Sequence, residues 1–139
     1  MKKLMLDTCV VVDMLLDYKG MDSSVKAILN DPQYMLCASF ETMRELVVLF
    51  NNKKLLSKYW HSAKDVIDCV ANDLEIEFLP LRPHTGYTYS LLTLNEGMNH
   101  KDPSDHVIIS HAITEHIPLL SSDLKFAFYR EQGLELIEY

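Results

Sequence analysis

The sequence has no apolar stretch long enough to cross a bilayer. Its runs, such as Val10–Val12, Met14–Leu16 and Val107–Ile109, fall far short of the ~20 residues that a membrane-spanning helix needs. A signal peptide is not expected, for the same shortage. Met1-Lys2-Lys3 begins like one, but Asp7 arrives before any useful apolar length. The start therefore reads as a first strand, and the protein as cytoplasmic with no membrane partner. Cys9, Cys37 and Cys69 are odd in number and form no Cys-x-x-Cys or Cys/His cluster. That argues against a disulfide framework or a structural zinc site. Each reads as a small hydrophobe in or near the core. Internal repeats, low-complexity tracts and Gly/Ser linkers are missing too, so residues 1–139 read as one domain. Basic charge is also scarce: 13 Lys and Arg against 20 Asp and Glu give a formal charge of −7. Taken alone, this disfavours a nucleic-acid binder that relies on a basic surface. Acidic residues gathered at one site account for part of the excess, and bound cations would offset it there. Lys53, Lys54, Lys58 and Lys64 read first as a solvated helix face, with a substrate track as the alternative.

Hydrophobic residues make up 48% of the chain and charged ones 24%, a balance that suits a globular core. Short apolar runs alternate with helical periodicity. Lys3–Leu6 reads as a strand ending at Asp7, followed by a helix carrying Val10, Val11, Met14 and Leu15. Ser23 or Ser24 starts a second helix, broken at Asp31-Pro32. Tyr34–Ala38 is the next strand, and Ser39 caps a helix with Met43, Leu46, Val47 and Phe50. A long helix is expected from about Leu55 to Ala71, with Tyr59, Ala63, Val66, Ile67 and Val70 inward. Ile76–Leu79 is a third strand, followed by a helix over roughly Thr85–Asn95 and a loop at Gly97–Lys101. Asp102 or Ser104 caps a helix bearing Val107, Ile108, Ala112 and Ile113. Pro118–Leu120 is a fourth strand and Leu134–Ile137 a fifth. The alternation implies an α/β sandwich, a parallel sheet of four or five strands with helices on both faces. In such folds the site lies beyond the carboxyl ends of the strands.

Asp7, Glu45, Asp105 and Asp123 all fall near such ends or in early helix turns. Singly, each has an ordinary reading as cap, solvated residue or turn residue, and Glu41 is an alternative to Glu45. Together they would repel unless a hard cation joined them. Mg²⁺ and Mn²⁺ favour oxygen ligands, and such ions support phosphodiester hydrolysis. His84, His100, His106 and His111 read as surface or core residues before metal ligands. His106 stands out because it adjoins Asp105 and could reach substrate.

Four segments carry a resemblance: Leu4-Met-Leu-Asp7-Thr8, Ser39-Phe-Glu-Thr-Met-Arg-Glu45-Leu46, Asp102-Pro-Ser-Asp105-His106 through Ala112, and Pro118-Leu-Leu-Ser-Ser-Asp123-Leu-Lys-Phe126. In order and spacing the chain resembles PIN (PilT N-terminus) domains, and within them VapC-type toxins. The resemblance implies a metal-dependent endoribonuclease using Mg²⁺ or Mn²⁺ on an RNA substrate. Asp7, Glu45, Asp105 and Asp123 match the family's acidic cluster. Thr8 and Ser121 match hydroxyl positions that could orient a carboxylate from behind, and Asp102 is either such a partner or a cap. A homodimer and an antitoxin protein are the implied partners. Where related sequences often carry Arg after the Asp-Pro-x-Asp segment, this chain has His106, and Ser110 and His111 replace common small residues. With the net charge, this motivates the alternative of a PIN-like module that binds RNA or protein without turnover. A phosphatase with an aspartyl nucleophile fits less well, since its usual second Asp two residues on is here Cys9.

Overall fold

The computed structural model describes residues 1–139. Five parallel strands, β1 (Lys2–Leu6), β2 (Tyr34–Ser39), β3 (Glu77–Leu79), β4 (Leu119–Ser121) and β5 (Leu136–Glu138), form one sheet. Their order is β3-β2-β1-β4-β5. Six α-helices connect them: α1 (Thr8–Leu15), α2 (Ser23–Leu29), α3 (Phe40–Asn51), α4 (Ala63–Asp68), α5 (Pro83–Leu91) and α6 (Pro103–Glu115).

The period of two along a strand explains the layers. In β1, Leu4 and Leu6 face a core with Val10, Val11 and Met14 of α1, Val25 of α2, Leu46 of α3 and Val66 of α4. Met5 between them faces the other core, with Ile108, Ile109 and Ala112 of α6, Phe126 and Tyr129. In β4, Leu120 and Leu119 divide in the same way. Central strands must be apolar where both sides are buried, as Leu4–Leu6 of β1 and Leu119–Leu120 of β4 are.

The α3–α4 region departs from the expected long helix. Lys53 takes a left-handed backbone conformation (φ 59°) after α3, and the chain runs irregularly until Ser62 caps α4, its Oγ accepting from Asp65 N at 3.2 Å. A π turn, Cys69–Asp73, follows. Leu55, Val66 and Val70 still reach the core, but Tyr59 lies 73% exposed instead of inward. Apolar spacing marked what is buried, and the connecting backbone did not have to be helical. Met43, expected in the core, is only half-buried. Helix α5 ends at Leu91, short of the expected Asn95. A 3₁₀ segment over Phe126–Gln132, unforeseen in the sequence, ends at Gly133 with φ 105°. A Cβ there would sit 3.4 Å from Ile113 Cγ2. Gly133→Ala is therefore expected to cost about 1–2 kcal/mol, read by urea denaturation.

Candidate metal centre

Strand β1 leads to β2 on one side, while β4 and β5 lie on the other, so the connections diverge between β1 and β4. That switch point leaves a crevice past the strand ends. A cleft of about 530 Å³ lies here, lined by Asp7, Thr8, Cys9, Val12, Asp13, Glu45, Leu49, Asp102, Asp105, Ser122 and Asp123. It contains six acidic residues and no Lys or Arg. A larger cavity near the amino ends of β1 and β2 is lined mostly by hydrophobic residues such as Met14, Tyr18, Leu29 and Leu74, with Asp31, Glu75 and Glu77 as its acids.

Asp7 sits where β1 becomes α1 and is 5% exposed. Its Oδ1 accepts from Thr8 N at 2.8 Å, which caps α1. Its Oδ2 accepts from Ser121 Oγ at 2.7 Å and Cys9 Sγ at 3.4 Å. Ser121 Oγ also accepts from Asp123 N at 3.1 Å, tying the ends of β1 and β4 together. Glu45 Oε1 accepts from Thr8 Oγ1 at 2.6 Å, and Thr8 lies 3.0 Å from the buried Thr42 hydroxyl. With Glu45 as its acceptor, Thr8 is placed to receive the Thr42 proton. Thr8 and Ser121 thus stand behind two of the carboxylates.

Glu41 and Glu45 differ in their surroundings. Arg44 Nε lies 2.6 and 2.8 Å from the two Glu41 oxygens, and Arg44 also donates to Ser104 Oγ at 3.1 Å. Glu41 is neutralised there and does not line the cleft, whereas Glu45 does. Asp102 caps α6, its Oδ1 accepting from Ser104 N at 3.0 Å, and it also lines the cleft.

His106 does not reach the cleft. It is 4% exposed, and its Nε2 lies 3.1 Å from the His100 carbonyl, a contact in which the ring N–H donates. Successive helical residues point about 100° apart, so a helix that turns Asp105 to the cleft turns its neighbour inward. His111 is also buried, with Nδ1 2.7 Å from Ser39 Oγ, and Ser110 is fully enclosed. Of the cysteines, Cys37 is buried and Cys69 half-buried, but Cys9 is exposed at the cleft and not in the core. His100 is the participant that sequence reasoning passed over. It is 2% exposed, with Nε2 2.9 Å from Asp105 Oδ2. One donor atom each from His100, Asp105 and Asp123 lies within 4.8 Å of the others. The signal available was its position just before the Asp-Pro-x-Asp segment.

The electrostatics describe a site short of positive charge. Burial, reinforced by Asp7, Asp102, Asp123 and Glu45, pushes the Asp105 carboxyl up to about 8. Burial also raises Asp7, against the lowering effect of its donors Ser121, Cys9 and Thr8. Glu45 is raised by burial, with Asp102 and Asp7 adding to the effect and Thr8 opposing it. Oxygen donors that resist ionisation without a counter-charge suit a hard divalent cation.

The PIN domain family model matches residues 4–131. This chain is a PIN domain. No curated protein matches it in sequence. Among solved structures, its fold is similar to that of VapBC2 from Rickettsia felis, bound to a promoter DNA fragment. The TM-score is 0.72 at 22% identity, covering 98% of each chain. VapBC-1 from nontypeable Haemophilus influenzae gives 0.70 at 20% identity, covering 98% of this PIN domain and 97% of that chain. DNA-bound VapBC from Salmonella typhimurium gives 0.64 at 22%, covering 99% and 98%. At such identities the likeness establishes the fold: a parallel sheet between helical layers, as the sequence implied. No helix of this PIN domain is long and apolar enough to cross a membrane.

Proposed function

We propose that this PIN domain is a Mg²⁺- or Mn²⁺-dependent endoribonuclease, the toxin of a toxin–antitoxin pair. The observation that carries the reading is the cleft at the sheet's switch point, with six acidic residues and no basic one. Asp7, Glu45, Asp105 and Asp123 would hold the cation. When bound, it supplies Lewis-acid charge for phosphodiester hydrolysis. Ser121 and Thr8 orient Asp7 and Glu45 through the hydrogen bonds described above. A phosphate has no basic side chain to meet in the cleft, so RNA can approach only where cation charge offsets the carboxylates. VapBC structures among the neighbours support an antitoxin as partner. In our reading an Arg or Lys from that partner would pair with the same carboxylates, and the toxin would act as a cytoplasmic homodimer. The alternative of a module without turnover loses one of its motives, because the inward His106 replaces no group in the cleft.

Incubation with single-stranded RNA tests the proposal. Cleavage that requires Mn²⁺ or Mg²⁺ and stops with EDTA supports it; intact RNA with folded protein and either ion rejects it.

Substrate approach carries a further expectation. Glu45 and Leu49 line the cleft from α3, and Lys53 follows four residues later. From Leu46 to Lys64 the chain contains no acidic residue, and Lys53, Lys54 and Lys58 are exposed and outside every ion pair. Lys58 Nζ lies 5.2 Å from the centroid of the exposed Tyr59 ring. A Lys53→Glu, Lys54→Glu double variant should bind RNA more weakly. Its plot of log affinity against log salt should be shallower by roughly 1–2, with melting temperature unchanged. Filter binding across salt concentrations measures this.

A further inference from the structure

We propose that His100 is a positioning residue that fixes the rotamer of Asp105 by donating an N–H to one carboxylate oxygen, with Tyr129 supporting the required tautomer from the other ring nitrogen. The inference rests on the metal-binding reading of the cleft and extends it to residues that do not line it.

Three links form the chain. Asn95 N donates to the Tyr129 hydroxyl oxygen at 3.0 Å. That hydroxyl lies 2.9 Å from His100 Nδ1, and His100 Nε2 lies 2.9 Å from Asp105 Oδ2. An ionised Asp105 is an acceptor only, so the proton of a neutral His100 must then sit on Nε2. This leaves Nδ1 as an acceptor for the Tyr129 O–H. The Tyr129 oxygen, already receiving the Asn95 N–H, completes a donor chain running in one direction.

The arrangement cannot easily swing away. His100 and Tyr129 are 2% and 0% exposed. The imidazole packs 4.6 Å from the His106 ring and 5.6 Å from that of Phe126, centroid to centroid. His106 further anchors the His100 backbone through its carbonyl. The imidazole engages Oδ2 of Asp105, whereas Oδ1 has no hydrogen-bond partner within the protein, on a residue that lines the cleft. One oxygen is held and one is left for a cation.

A direct-ligand role fits the geometry less well. His100 is absent from the cleft wall, and its Nε2 is already engaged with Asp105. The compact group of His100, Asp105 and Asp123 donor atoms is better described as two cleft carboxylates with an imidazole behind one of them. Such outer partners commonly change metal affinity by about 10–100-fold when removed.

Two measurements test the inference. ¹⁵N NMR of the metal-free protein at pH 9 should show His100 protonated on Nε2 with Nδ1 as a hydrogen-bonded acceptor, and Tyr129→Phe should move the Nδ1 resonance toward that of an unbonded ring acceptor while the proton stays on Nε2. Calorimetry with Mn²⁺ should show roughly 10–100-fold weaker binding for His100→Leu. His100→Gln, whose amide N–H can take the place of Nε2–H, should keep affinity within a few-fold of wild type. Wild-type His100 in the Nδ1–H form overturns the proposal, as does unchanged Mn²⁺ affinity in His100→Leu or, should that variant not fold, a Tyr129→Phe protein whose Nδ1 resonance does not move. A wild type that takes up no Mn²⁺ overturns the metal reading of the cleft; the tautomer measurement judges the hydrogen-bond relay separately.

Discussion

Asp7→Asn is expected to abolish metal-dependent RNA cleavage while the protein stays folded. Asparagine caps a helix about as well as aspartate, so the bond from Thr8 N that starts α1 survives. Ser121 can meet the new amide as an acceptor, because a hydroxyl oxygen has two lone pairs. What disappears is a full negative charge at the centre of the cleft, next to Asp105 and Asp123 in the electrostatics of the site. Removing one metal-holding carboxylate should lower cleavage by at least about a hundredfold, more than the loss of a supporting partner. Melting in EDTA should give a temperature equal to or above wild type, since a buried group that resists charging has been made neutral. A fluorescent single-stranded RNA assay in Mn²⁺, run beside the melts, reads both quantities. Substantial cleavage by folded Asp7→Asn protein would remove Asp7 from the catalytic set.

Without divalent metal, the protein should lose stability as pH rises from about 6 to 8.5, and Mn²⁺ should reverse the loss. The sign follows from Asp105, Asp7 and Glu45, all raised when folded. In the unfolded chain such carboxyls titrate near about 4. Above that pH the unfolded state has released protons that the native state still holds, so stability falls with rising pH. Their contribution is complete below the unfolded value and, for Asp105, is gone once pH passes through about 8. A cation inverts the balance by favouring the charged forms. At free Mn²⁺ one hundred times the dissociation constant, linkage adds about 2.7 kcal/mol. For a domain of this size that corresponds to roughly 5–10 °C. The gain should be larger at pH 8 than at pH 6, where protons compete with the ion. Scanning calorimetry with EDTA or Mn²⁺ at both pH values checks this. A gain that shrinks as pH rises would contradict the role of these carboxylates.

Much of the architecture was legible because the relevant signals are local. A strand buried on two faces must be apolar, and a helix must follow it to cover the sheet, so Lys3–Leu6, Tyr34–Ala38 and Pro118–Leu120 could be located from residue order. The PIN motifs carried Asp7, Glu45, Asp105 and Asp123 to one sheet edge, and the structure lines a single cleft with all four. The stretch Leu55–Ser62 misled for an equally physical reason. Apolar spacing reports which side chains are buried, and Leu55 reaches the core from an irregular backbone as well as it would from a helix.

The rest depended on neighbours distant in sequence. Glu41 and Glu45 lie four residues apart on one helix, within about 40° of the same face. Periodicity could not separate them, and the Arg44 contact did. His106 looked functional through adjacency to Asp105, yet helical geometry turns it to the interior. His100 looked ordinary because its meaning comes from Tyr129, 29 residues away, and from Asn95. Residue order thus located where strands end, since that follows from short-range periodicity and the rules of parallel sheets, and the PIN resemblance marked the candidate acids there. Which acid faces the cleft, which is neutralised and which histidine stands behind a carboxylate were settled by long-range packing. Hydrogen bonds and desolvation act over a few ångströms of space, whatever the separation along the chain.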